Sequence, residues 1–197
     1  KKAAQIAGIK NHEISTIGPL FSGNSPLTNK SMELEQYSNL ADVSPGIQKT
    51  FVPGRNLLFL SLAANKAYSM NIDTMITGIC QEDFGGYPDC RSDFIKSLEE
   101  TIKLGMEKEI KILTPLMDMK KSEIVMMGKN LPKECWEALS FSHTSYDGKY
   151  PATSNDHANL LRARGFEEAG LPDPLVERAV AENLMELPKT RNYENQD

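Results

Sequence analysis

Apolar positions along this chain follow two rhythms that take turns. From Asn56 to Met70, Leu57, Leu58, Leu60, Ala64 and Ala67 recur at helical spacing and predict a helix with a broad apolar face. Thr74 to Ile79 is β-branched enough to read as a buried parallel strand. The rhythm then repeats. Ser92 to Leu104 predicts a helix with Phe94, Ile95, Leu98 and Ile102 turned inward, and Ile110 to Thr114 predicts the next strand. Upstream, Lys1 to Gly8 reads as the last turns of a helix, and His12 to Ile17 alternates as a short strand does. Downstream, Asp118 can cap a helix from Met119 to about Gly128, and Asn155 to Ala169 and Pro174 to Leu187 predict two more before a polar tail. Alternating strands and helices point to an α/β fold, a parallel sheet flanked by helices, with a helical C-terminal segment.

The interval from Gly18 to Pro53 is rich in Gly, Pro, Ser and Asn and has little periodicity, so it is expected to be a long crossing loop. No repeat and no second boundary is evident, and the expectation is one domain over residues 1–197. A formal charge of -5 gives no basic footprint for nucleic acid, so a small-molecule substrate fits better than direct DNA or RNA binding. No apolar run approaches the roughly 18 residues of a membrane span, and no export signal is visible. Three cysteines, Cys80, Cys90 and Cys135, are too few for a disulfide framework and suit a reducing cytoplasm; no Cys-x-x-Cys pair suggests zinc.

Candidate chemistry gathers in two stretches, Thr50-Phe51-Val52-Pro53-Gly54-Arg55-Asn56 and residues 77–91, which run from Thr77 to Arg91. In each, Gly and Pro fix the backbone beside a regular element and polar groups follow at once, as in sites outside the carboxyl ends of parallel strands. Arg55 and Asn56 stand in the first turn of a helix, where a guanidinium fork, an amide and unsatisfied N–H groups can converge on a phosphate or carboxylate; a plain cap beside an exposed Arg is the other reading. Gly78 lets a planar base approach the backbone. Asp83 can hold magnesium or accept hydrogen bonds from a guanine-like edge. Tyr87 offers a flat face to a purine-like ring, and Asp89 and Arg91 can read its polar edge or pair with each other. Cys90 reads as packing, since no neighbouring His would activate it.

The runs Phe51-Val52-Pro53-Gly54-Arg55-Asn56 and Gly86-Tyr87-Pro88-Asp89-Cys90-Arg91 are similar, without a gap, to motifs of the 7-cyano-7-deazaguanine synthases, the QueC or ExsB family of ATP pyrophosphatases. The resemblance extends from about Lys1 to about Pro174. It implies an adenine nucleotide alpha hydrolase-like, Rossmann-like fold, and use of ATP, Mg²⁺ and ammonia to turn 7-carboxy-7-deazaguanine into the nitrile that feeds queuosine and tRNA modification. It also implies a cytoplasmic homodimer. Thr114-Pro115-Leu116-Met117 with Lys121-Ser122-Glu123 resembles a segment of related ligases in which a lysine at a helix start faces nucleotide phosphates. The implied catalytic residues are therefore Lys121 and Asp83, and the implied substrate and nucleotide contacts are Phe51, Pro53, Gly54, Arg55, Asn56, Gly78, Tyr87, Pro88, Asp89 and Arg91.

Two departures qualify the resemblance. The family's Ser-Gly-Gly-x-Asp-Ser phosphate loop is not in this sequence, and Phe21-Ser22-Gly23-Asn24-Ser25 runs into Pro26 instead of a helix. About 40 to 50 residues are expected upstream in a protein of about 240, within single-domain size. The family's four zinc cysteines are replaced by Ser145, Thr153, Asp156 and Asn159, so zinc is not expected. The first departure keeps open a non-catalytic deazapurine- or nucleotide-binding fragment. The second keeps open a relative that joins a deazaguanine to a protein or nucleic acid.

Overall fold

The computed structural model describes residues 1–17, 20–21, 23–81 and 87–194. In chain order its elements are α1 (Lys2–Ile6), α2 (Arg55–Ser69), β1 (Thr74–Ile76), α3 (Ser92–Met106), β2 (Lys111–Leu113), α4 (Lys121–Asn130), α5 (Lys133–Leu139), α6 (His157–Ala169) and α7 (Pro174–Ala181), with short 3-10 turns between some of them. The described residues fall into two compact units, one of residues 21–33 and 44–119 and another of residues 1–20, 34–43 and 120–197.

The first of these contains the sheet. β1 and β2 pair in parallel with Thr74 opposite Lys111, Met75 opposite Ile112 and Ile76 opposite Leu113. Its core is Leu60, Ala64 and Ala67 of α2, Ile95, Leu98 and Ile102 of α3, and Ile110, Ile112 and Met117. Each fully buried aliphatic side chain contributes about 1.5–3 kcal/mol, so this cluster dominates the unit's stability. On β2 the Ile112 N–H donates to Glu99 Oε1 of α3 at 2.6 Å.

Several expectations are corrected here. Ile76 is 72% exposed and Leu113 47%, so the strands bury one face and not both, because successive side chains point to opposite faces and the unit's helices cover the face of Met75 and Ile112. Leu57 is exposed and Leu58 half-buried; the inward stripe of α2 is Leu60, Ala64 and Ala67, narrower than the composition suggests. His12 to Ile17 belongs to no strand among the described residues, since alternation alone supplies no neighbouring backbone to pair with.

The other unit is helical. α4 packs along α6 in the most extensive helix contact, with α1 and α7 on α5. Asp118 does not cap α4. Its Oδ1 accepts a hydrogen bond from Gln81 Nε2 at 2.8 Å, and the helix starts at Lys121 with the Lys120 N–H donating to Glu123 Oε2 at 2.8 Å. α5 was not expected from the pattern. α7 ends at Ala181, short of Leu187, where Asn183 takes a left-handed φ of 56° that a helix cannot continue through. No helix among the described residues is long and apolar enough to cross a membrane.

Candidate active site

The loop before α2 owes its shape to Pro53 and Gly54. The Arg55 N–H returns to the Val52 carbonyl at 3.1 Å, and Gly54 has a φ of 75°, the value a type II turn requires at its third residue. This turn delivers Arg55 and Asn56 as the first two residues of α2, whose amides have no acceptor within their own helix.

One of those amides is satisfied from 33 residues away. The Asn56 N–H donates to Asp89 Oδ2 at 3.1 Å, and Asn56 Nδ2 donates to the Asp89 carbonyl at 3.0 Å and reaches Cys90 Sγ at 3.7 Å. Asp89 is 7% exposed, in a 3-10 turn over Pro88–Cys90. A carboxylate at a helix N-terminus gains from both the open N–H groups and the helix dipole. A second stitch joins the same two segments: Thr50 Oγ1 and the Tyr87 hydroxyl share a hydrogen bond, and the Phe51 and Tyr87 rings lie 5.4 Å apart, tilted by 35°.

Four of the expected residues, Phe51, Asn56, Tyr87 and Asp89, are thus drawn together. Their exposures differ. Tyr87 is 5% exposed, held by Phe51 and Thr50, and Phe51 is the more accessible ring of the pair. Arg55, Gly54 and Pro88 are half-buried at the rim, while Pro53, Gly78 and Arg91 are exposed. A Cβ on Gly78 would meet only Leu116 Cδ1 at 3.9 Å, an ordinary contact, which leaves its backbone open to approach. Asp83 lies outside the described residues. Cys90 is buried and takes part in the Asn56 contact.

In the helical unit Lys121 is the first residue of α4 and is half-buried, whereas Lys120 is exposed. Its main chain and Cβ lie against Gly165 of α6. Sequence reasoning missed this glycine, although a glycine inside a strongly helical run is itself a signal of close packing.

Three of the positions corresponding to the zinc cysteines, Ser145, Asp156 and Asn159, share a network of hydrogen bonds, while Thr153 is exposed. Asp156, 1% exposed, accepts from Ser145 Oγ at 2.7 Å and from the Tyr146 N–H at 3.0 Å through Oδ2, and from the Asn159 N–H at 3.0 Å through Oδ1. Asn159 Nδ2 donates to the carbonyls of Ser154 and Ala152 at 2.7 and 3.1 Å. Asp156 is therefore both the N-cap of α6 and the fastener of the preceding loop. Beside it, the Lys149 N–H on the Asp147 carboxylate, with the Ser145 hydroxyl and nearby positive charge, outweighs partial burial and holds that carboxyl below its usual range. His143 Nε2 is 2.7 Å from the Lys149 carbonyl. The donor set does not suit zinc: both Asp156 oxygens are committed to protein donors, and the other ligand positions offer hydroxyl and amide groups. Among the described residues no three His, Cys, Asp or Glu side chains converge as metal ligands.

Comparison with known sequences agrees with the motifs that shape these loops. The family model described as queuosine biosynthesis protein QueC matches residues 1–170. The 7-cyano-7-deazaguanine synthase of Gloeobacter violaceus is 40% identical over 179 residues, covering 89% of this chain and 76% of that protein. Its namesake in Chromobacterium violaceum is 41% identical over 182 residues, covering 92% and 76%. That of Nostoc punctiforme is 36% identical over 178 residues, covering 88% and 78%. By the span of the family match and this level of identity, the chain belongs to the queuosine biosynthesis protein QueC family.

Proposed function

We infer that this protein is a carbon–nitrogen ligase that converts 7-carboxy-7-deazaguanine and ammonia into 7-cyano-7-deazaguanine at the expense of ATP. The observation that carries the reading is the joining of both family motifs, with Asp89 of one fastened to the helix start that bears Arg55 and Asn56 of the other. Both units would belong to the family's single domain, as a match over residues 1–170 suggests.

A carboxylate resists ammonia because oxide is a poor leaving group. Attack of the substrate carboxylate on the α-phosphorus of ATP breaks the bond to pyrophosphate and forms an acyl adenylate, from which ammonia displaces AMP to give the amide. The amide oxygen then attacks the α-phosphorus of a second ATP, expelling pyrophosphate, and loss of AMP with the two amide protons leaves the nitrile. In this scheme Lys121 lies along the phosphates and stabilises the departing pyrophosphate, while Arg55 at the start of α2 offers a forked contact to an anionic group. Phe51 and the open backbone at Gly78 receive the deazaguanine ring, and Asp89 holds the loop that carries Pro88 and Arg91 around its polar edge. Mg²⁺ would neutralise phosphate charge, and Asp83 is the residue assigned to it. We assign no structural zinc; the Asp156 network takes that place. Three free cysteines accord with a cytoplasmic setting, and a homodimer with no direct nucleic-acid contact is the assembly proposed.

The test is to incubate the full-length protein with 7-carboxy-7-deazaguanine, ammonium, ATP and Mg²⁺ and to follow product by mass and AMP by chromatography. Nitrile formation with two AMP released per product is expected. AMP-independent turnover, or transfer of the deazaguanine onto a macromolecule in place of nitrile release, would overturn the assignment.

A further inference from the structure

Among the ten glycines whose surroundings are described, Gly165 stands apart. A Cβ added to it would lie 2.7 Å from Lys121 Cβ and 3.3 Å from the Lys121 carbonyl carbon, where no real Cβ contact fits without a shift. Gly165 is buried within α6 and has no left-handed φ, so lack of space, and not backbone conformation, demands glycine here. A glycine inside a helix is unfavourable by up to about 1 kcal/mol against alanine, which the close approach of α4 offsets. What it touches is the root of Lys121, its main chain and Cβ, and not the flexible end. The root cannot swing aside.

We propose that Gly165 is a positioning residue for Lys121: its bare backbone is the seat against which the lysine's root is set, fixing where the ammonium can reach. The proposal rests on the reading of Lys121 as the lysine that faces the ATP phosphates. The seat is itself held firmly. α6 starts at Asp156, whose carboxylate is tied to Ser145, Tyr146 and Asn159, and Arg162, one turn before Gly165, donates to Asp173 Oδ1 at 2.8 Å through Nη2. Both ties brace α6 ahead of Gly165.

The experiment is a double-mutant cycle in the full-length protein with Gly165→Ala, Lys121→Ala and the pair, reading the KM for ATP, kcat and melting temperature. Displacing a contact group by about 1 Å can change its effect by as much as a hundredfold, so Gly165→Ala is expected to raise the KM for ATP on the order of tenfold or more. In the Lys121→Ala background it should change that KM by less than about twofold, because coupled sites do not add. Its effect on melting should be the same in both backgrounds, since alanine at 121 keeps the Cβ that is struck. Independent, multiplying effects on KM would overturn the positioning role. An unchanged KM in Lys121→Ala alone would overturn the reading of Lys121 instead. Should Gly165→Ala not accumulate as folded protein, amide exchange replaces it: ATP should slow exchange around Gly165 in the native protein and not in Lys121→Ala, and equal behaviour in both would reject the proposal.

Discussion

Asp89 and Asp156 do similar chemistry in unlike settings. Each is buried and each accepts the N–H of a residue in the first turn of a helix. Asp156 caps its own helix and gathers Ser145 and Tyr146 into the same network. Asp89 belongs to the unit that contains the apolar cluster of nine residues and reaches across 33 positions to a helix it does not belong to. In a unit with an apolar core of its own, what this carboxylate adds is the joining of the two loops. A carboxylate embedded in a hydrogen-bonded knot is part of what keeps the segment folded.

The strongest way to break this contrast is Asp156→Ala. It leaves the Tyr146 and Asn159 amides without their acceptor and the Ser145 hydroxyl with Asp147 alone, and three bonds lost at about 1 kcal/mol each come to about 3 kcal/mol. Thermal unfolding should fall by roughly 6–12 °C for a chain of this size. A shift under about 2 °C would show that water replaces the carboxylate easily.

Asp89→Asn should do the opposite. Its melting temperature should stay near the native value, while use of 7-carboxy-7-deazaguanine weakens by about 1–3 kcal/mol as the loop carrying Pro88 and Arg91 loosens. Large unfolding with unimpaired turnover would reverse the contrast drawn here.

A pH titration sharpens the account of the helical unit. Burial pushes the Tyr193 phenol up to about 12, and its oxygen accepts the Asp173 N–H at 3.1 Å. The native state therefore keeps a proton that the unfolded chain loses near 10, so stability present below pH 10 should be lost as pH rises from about 10 to about 12. Tyr193→Phe should flatten that decline in denaturant midpoints. The smallest effect expected is that of a chelator: with no thiolates at the knot, the melting curve should not move, and elemental analysis should find less than stoichiometric zinc.

What was legible in the sequence was local. Leu60, Ala64 and Ala67, and Ile95, Leu98 and Ile102, announce α2 and α3 because a buried stripe repeats with the helix itself. The clasp between Asn56 and Asp89 was not legible, since nothing in either segment names a partner 33 residues off. Asp118 illustrates the cost of local reasoning: its capping signal was sound, but Gln81 from the neighbouring connection took the carboxylate. The site residues follow from the family motif, which does not show that Tyr87 is buried against Phe51 and Thr50.

The Glu99 carboxylate on the Ile112 amide has a consequence for life in a crowded cell. The outward amide of a strand is the point at which a stray extended chain would begin to zip on, and here the neighbouring helix has already filled it with its own side chain. Removing that carboxylate, as in Glu99→Ala, would give this three-residue strand a free hand to recruit others.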